Sequence, residues 1–225
     1  MIPSKAFSSS IGSKFLIALT GILLLIFLIA HLAGNLLFIA GPEAFNEYSH
    51  KLISNPLVYV AEVGLVAIFV LHIFKTVAMF GGSYSARPQG YAKKKWAKTK
   101  SDRSRKSFSS TTMILTGTIT LLFVVTHLIT FKFGTYYETP EGIRDLYRLQ
   151  LAVFSNPAYV AFYIVAMIVI IFHLWHGATS AMQSFGINSP TWTPRLTLMG
   201  RGLAVILGLG FAALPIYTFF QGAGR

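Results

Sequence analysis

The chain has 225 residues, of which 54% are hydrophobic and only 12% charged, with a formal net charge of +12. About a quarter of a typical soluble domain is charged, so this balance, with a mean hydropathy of +0.61, excludes a disordered chain and argues against an ordinary soluble globule. There are no cysteines, which excludes disulfides, thiolate iron–sulfur clusters and covalently attached haem, and leaves histidine as the obvious ligand for any redox metal.

A transmembrane helix needs about 20 apolar residues, and five stretches reach that length: residues 14–40, 56–80, 111–131, 157–182 and 196–220. The first is too long for a removable signal peptide and has no small-residue cleavage site after it. The expected fold is therefore an all-α membrane bundle of five transmembrane helices in one domain over residues 1–225. Between the second and third spans, residues 81–110 carry Arg87, Lys93, Lys94, Lys95, Lys98, Lys100, Arg103, Arg105 and Lys106 against Asp102 alone. The other long loops are balanced: Lys51 against Glu43 and Glu47, then Lys132, Arg144 and Arg148 against Glu138, Glu141 and Asp145. Lys/Arg bias places the basic loop in the cytoplasm. The N-terminus (Lys5, Lys14) and the Arg195 turn then lie inside, and the C-terminus outside. Charge confined to one loop between apolar spans points to topology rather than nucleic acid. The same loop is compatible with docking an anionic partner protein or lipid headgroups.

The spans repeat. Leu19-Thr20-Gly21 precedes His31-Leu32 in the first span, as Leu115-Thr116-Gly117 precedes His127-Leu128 in the third. Ser54-Asn55-Pro56 precedes His72 in the second span, as Ser155-Asn156-Pro157 precedes His173 in the fourth. Asn as N-cap with Pro at the first helical position is a sound helix start. The chain thus reads as two similar helical hairpins plus a fifth helix. Spans one and three rise from the inside with late histidines, so His31 and His127 come near the outer face. His72 and His173 lie sixteen residues past their prolines, about 24 Å across a core of roughly 30 Å, near the inner face.

Two level-matched histidine pairs on facing helices suit two non-covalent b-type haems, each held by two axial imidazoles. Each imidazole would then be neutral, with its other ring nitrogen bonded to a carbonyl or hydroxyl. The competing reading is four histidines that each hydrogen-bond a neighbouring helix. Gly21 and Gly117 sit at the level of the inner pair, where a missing side chain serves either a macrocycle or tight helix packing. His176, one turn beyond His173, either contacts a haem propionate or quinone or fills a polar niche, and His50 in the outer loop has the same standing. Glu62 is the only carboxylate well inside a span, near the level of the outer histidines. A carboxylate at that depth either works or is paired; the alternatives are proton exchange for a quinone and a structural hydrogen bond.

Several ordered motifs resemble one family. They are Ile26-Phe27-Leu28-Ile29-Ala30-His31-Leu32, Gly41-Pro42-Glu43-Ala44-Phe45-Asn46, the span ending in His72, Thr116-Gly117 through His127, Ser155-Asn156-Pro157 through Phe172-His173, Gly186 and Thr193-Pro194-Arg195. Over about residues 10–220 the chain resembles the five-helix, di-haem cytochrome b membrane-anchor subunit of succinate dehydrogenase and fumarate reductase. The resemblance implies that His31 and His127 ligate the distal haem, and His72 and His173 the proximal one. It implies separate flavoprotein and iron–sulfur partner chains on the cytoplasmic face, which carry the dicarboxylate chemistry. It implies a membrane quinone as substrate, with menaquinone favoured by the di-haem type. Ile171, where fumarate-reducing members can carry a carboxylate two residues before the fourth ligand, favours succinate oxidation. A bis-His anchor of another respiratory dehydrogenase is the neighbouring alternative. A histidine-relay transporter fits less well, because the repeat is parallel and no span is broken centrally by proline.

Overall fold

The computed structural model describes residues 9–86, 108–187 and 189–223. The fold is all-α, with five helices long and apolar enough to cross a membrane, as expected of a multi-pass membrane protein. They are α1 (Ser10–Leu36, extended by a 3₁₀ turn, Leu37–Ala40), α3 (Pro56–Ser85), α5 (Met113–His127, extended by a π-helical turn, Leu128–Lys132), α7 (Pro157–Ser184) and α8 (Trp192–Ala223). A single turn, α4 (Phe108–Thr111), precedes α5. The expected loop over 81–110 begins as helix: α3 continues to Ser85, because intrahelical bonds still satisfy its backbone past the apolar stretch. Arg87 and the Lys93–Lys106 cluster lie outside the described residues.

The repeated helix starts form as their residues dictate. Asn55 Oδ1 accepts from Leu57 N at 3.0 Å and Asn156 Oδ1 from Ala158 N at 2.9 Å, with proline at the first helical position in both. The sequence reading missed two short loop helices, α2 (Pro42–Ile53) and α6 (Leu146–Phe154), each ending at the serine of a Ser-Asn-Pro motif. Their signals were present. Gly41, at φ +107°, turns the chain into Pro42 at the helix start, and Asp145 caps α6 by accepting from Arg148 N at 2.9 Å. Each hairpin is therefore span, loop helix, span.

The loop helices clasp each other at one end of the bundle. Asn46, 4% exposed, donates through Nδ2 to Asp145 Oδ1 at 2.8 Å and accepts from Tyr147 N at 3.0 Å. Phe38 stacks on Tyr147 with ring centroids 4.2 Å apart, and Phe45 closes the cluster. Among the spans, α1 packs on α3, α7 and α8, while α7 packs on α5 and α8. Neither α1 with α5 nor α3 with α7 is among the closely packed helix pairs of the described residues. These are the diagonals of the bundle, and they carry the paired histidines. The core sits on α7, whose Val160, Tyr163, Ala166, Met167 and Ile170 form one buried stripe. By contrast α3 has no buried residue, and Leu57, Val60, Val63, Val70, Phe74 and Val77 stand exposed along it, as lipid contact requires.

Candidate functional site: two histidine levels

His31, near the end of α1, and His127, at the end of α5, lie toward the loop-helix end, the outer level of the expected topology. Their ring centroids are 5.9 Å apart with planes at 89°. Two imidazoles on opposite sides of one metal, with metal–nitrogen bonds of about 2 Å, place their centroids about 6 Å apart. The spacing therefore fits a shared ion. An aromatic wall surrounds them: Phe27 stacks on His31 at 5.2 Å, Phe211 lies 5.8 Å from it, and Phe131 and Phe123 lie 5.3 and 5.8 Å from His127. Tyr163 Oη is 3.1 Å from His127 Nδ1. His31 is treated differently. Asn35 Nδ2 donates to the His31 carbonyl at 2.8 Å and lies 3.4 Å from His31 Nε2.

The other level repeats itself almost atom for atom. His72 Nδ1 on α3 is 3.0 Å from Thr20 Oγ1 on α1, and His173 Nδ1 on α7 is 3.2 Å from Thr116 Oγ1 on α5. A Cβ added at Gly21 would stand 3.3 Å from His72 Cε1, and one at Gly117 would stand 3.3 Å from His173 Cε1. The close neighbour of each glycine is thus an imidazole edge. Leu-Thr-Gly is a hand-hold for the histidine of its own hairpin partner. His176 is half-buried one turn further along α7. Among the described residues no three of His, Cys, Asp and Glu gather as a metal-binding group.

Glu62 is paired: Lys132 Nζ, at the end of the π turn, donates to Glu62 Oε1 and bridges α3 to α5. Each side chain is 42% exposed. The π turn is closed by Phe133 N donating to Leu128 O at 3.0 Å, and its last carbonyls accept from the Arg144 guanidinium. Single π turns of this kind are frequent at functional sites, and no composition signal marks this one in advance. His50 lines an open cleft with Ser54, Tyr136, Ile143 and Arg144, apart from both histidine levels.

No protein-family model matches the chain, and no solved structure matches it. The chain is similar to the succinate dehydrogenase cytochrome b558 subunit of Bacillus subtilis (strain 168), at 26% identity over 202 residues that cover 87% of this chain and 88% of that protein.

Proposed function

We propose that this chain is the cytochrome b membrane-anchor subunit of a succinate:quinone oxidoreductase. The observation that carries the reading is the duplicated Thr–Gly–imidazole unit together with the His31–His127 spacing of 5.9 Å. The similarity to the succinate dehydrogenase cytochrome b558 subunit along most of both chains supports it. In this reading His31 and His127 hold one b-type haem, and His72 and His173 hold a second. Two bound haems supply a relay of single electrons between the two faces of the membrane. The chain's own residues present neutral imidazoles from diagonal helices and exclude water with an apolar, aromatic lining. At the outer level they offer Glu62, beside the Lys132 ammonium, to exchange protons with a quinone.

The partners are a flavoprotein and an iron–sulfur protein docked on the cytoplasmic face with the basic loop, and the quinone is menaquinone. The N-terminus is cytoplasmic and the C-terminus outside, in the cytoplasmic membrane of a bacterium or archaeon. Gly21 and Gly117 admit the inner ligands, and His176 serves a propionate or quinone at that level. Ile171 favours succinate oxidation over fumarate reduction. It packs against Gly208 of α8, where an added Cβ would overlap it, so this position serves helix packing.

The test is a redox-titrated visible spectrum of the purified complex with haem quantified per chain. Two b-type haems per polypeptide, reducible by succinate, are expected. Haem reducible only by another donor would point to the anchor of a different respiratory dehydrogenase. Absence of haem would leave the four histidines as relay or structural groups.

A further inference from the structure

We propose that Thr20, Thr116 and Tyr163 are positioning residues that lock the tautomer of His72, His173 and His127, so that each ring turns Nε2, bare of hydrogen, to its iron. This rests on the haem reading above. The argument begins with proton counting. A threonine hydroxyl has one hydrogen. Thr20 Oγ1 lies 2.7 Å from Leu16 O, and Thr116 Oγ1 lies 3.1 Å from Thr112 O, the back-bonds that a threonine in a helix makes to its own preceding turn. With its hydrogen given to that carbonyl, each hydroxyl can only accept at its free face, which is where the Nδ1 atoms of His72 and His173 stand. Nδ1 therefore carries the hydrogen and Nε2 is the ligand atom.

Burial holds the arrangement. Thr20 is 3% and Thr116 7% exposed, so water does not compete for either hydroxyl. Gly21 and Gly117, next in sequence, leave the space into which each ring edge fits. At the outer level one phenol has this task alone: Tyr163, 5% exposed, stands with its oxygen 3.1 Å from His127 Nδ1 and would accept its hydrogen once Nε2 is held by the iron, while among the described residues the only polar side chain bonded to the His31 ring is the amide of Asn35. The inner level is thus held symmetrically by hydroxyls and the outer level from one side. An Nδ1–H that donates to oxygen makes the imidazole a stronger donor and favours ferric iron. Loss of the acceptor raises the midpoint potential of that haem alone.

The experiment uses the whole complex carrying Thr20→Val, Thr116→Val or Tyr163→Phe. Thr118→Val, an exposed threonine that among the described residues bonds only Ile114 O, is the control. Midpoint potentials and low-temperature electron paramagnetic resonance are read for both haems. The valine variants are expected to raise the inner haem by about tenfold in its reduced-to-oxidised ratio at fixed potential, which is 59 mV for one electron. Tyr163→Phe is expected to move the outer haem in the same direction, Thr118→Val to move neither, and Thr116→Ser to restore the native inner value. Should a valine variant lose the inner haem, recovery with serine supports the assignment and failure to recover overturns it. Unchanged potentials and resonances in all three variants, or shifts of both haems together, also overturn it while the haem reading stands. A native complex without haem would remove both.

Discussion

The inner and outer histidine levels present the same residue type on differently built scaffolds. At the inner level, residues that the repeat duplicates do everything: Thr20 with Gly21 holds His72, and Thr116 with Gly117 holds His173, within 0.2 Å of the same geometry. At the outer level the repeat supplies the histidines and the phenylalanine one turn before each, Phe27 and Phe123. The rest of their surroundings comes from residues that the repeat does not match: Tyr163 of α7, Phe211 of α8, Asn35 of α1 and the π turn that carries Lys132. A duplicated motif conserves what lies along one helix, whereas the fifth helix breaks the two-fold likeness by packing on α1 and α7. The outer level is where the two hairpins differ, and it is also where the one intramembrane carboxylate sits. In the proposed reading, the symmetric level only passes electrons and the asymmetric one also handles protons.

The largest way to break this comparison is to remove a ligand. His72→Ala or His173→Ala should abolish the inner haem and leave the outer one, while His31→Ala or His127→Ala should do the reverse, as read from haem per chain and the reduced spectrum. A His31→Ala protein that kept both haems would dissolve the pairing. Next comes Glu62→Gln, expected to slow quinone turnover about 100-fold, the scale of one lost proton-transfer group, with both haem spectra intact. If Glu62 and Lys132 form only a structural pair, the doubly substituted Glu62→Gln, Lys132→Met protein would recover full turnover.

Gly117→Ala sharpens the inner half. A methyl 3.3 Å from His173 Cε1 is tighter than ordinary contact, so the ring must shift, at about 1–3 kcal/mol. The inner haem band should move while the outer band stays. Asn46→Ala tests the outer cap: it leaves Asp145 and Tyr147 N short of a buried partner, and should lower thermal stability by about 1–3 kcal/mol without moving the inner haem. The smallest effect is at the rim. Lys51 Nζ donates to Glu47 Oε1 at 2.7 Å, and this hydrogen bond and the ammonium charge hold Glu47 below the usual carboxylate range. A depressed folded value means that the pair contributes at neutral pH and is lost as pH falls through it. Lys51→Ala should return Glu47 to ordinary titration by nuclear magnetic resonance, with almost no change in stability because the pair is fully exposed.

What the sequence determined by itself is local and periodic. Apolar length gave five spans, Asn-Pro gave two helix starts, and a rise of about 1.5 Å per residue put His31 level with His127 and His72 level with His173. The loop helices were legible too, in Gly41-Pro42 and in Asp145, but short amphipathic helices between long apolar spans give a weak signal. Only the tertiary structure decided which helices are neighbours, and with them the partners of every functional side chain. Thr20 meets His72 across 52 positions, Glu62 meets Lys132 across 70, and Asn46 meets Asp145 across 99. Such contacts depend on how helices pack around the bundle axis, and α1 packing on α7 rather than α5 is what leaves the diagonals facing each other. Helical period fixes the height and face of a side chain; packing fixes what stands opposite it.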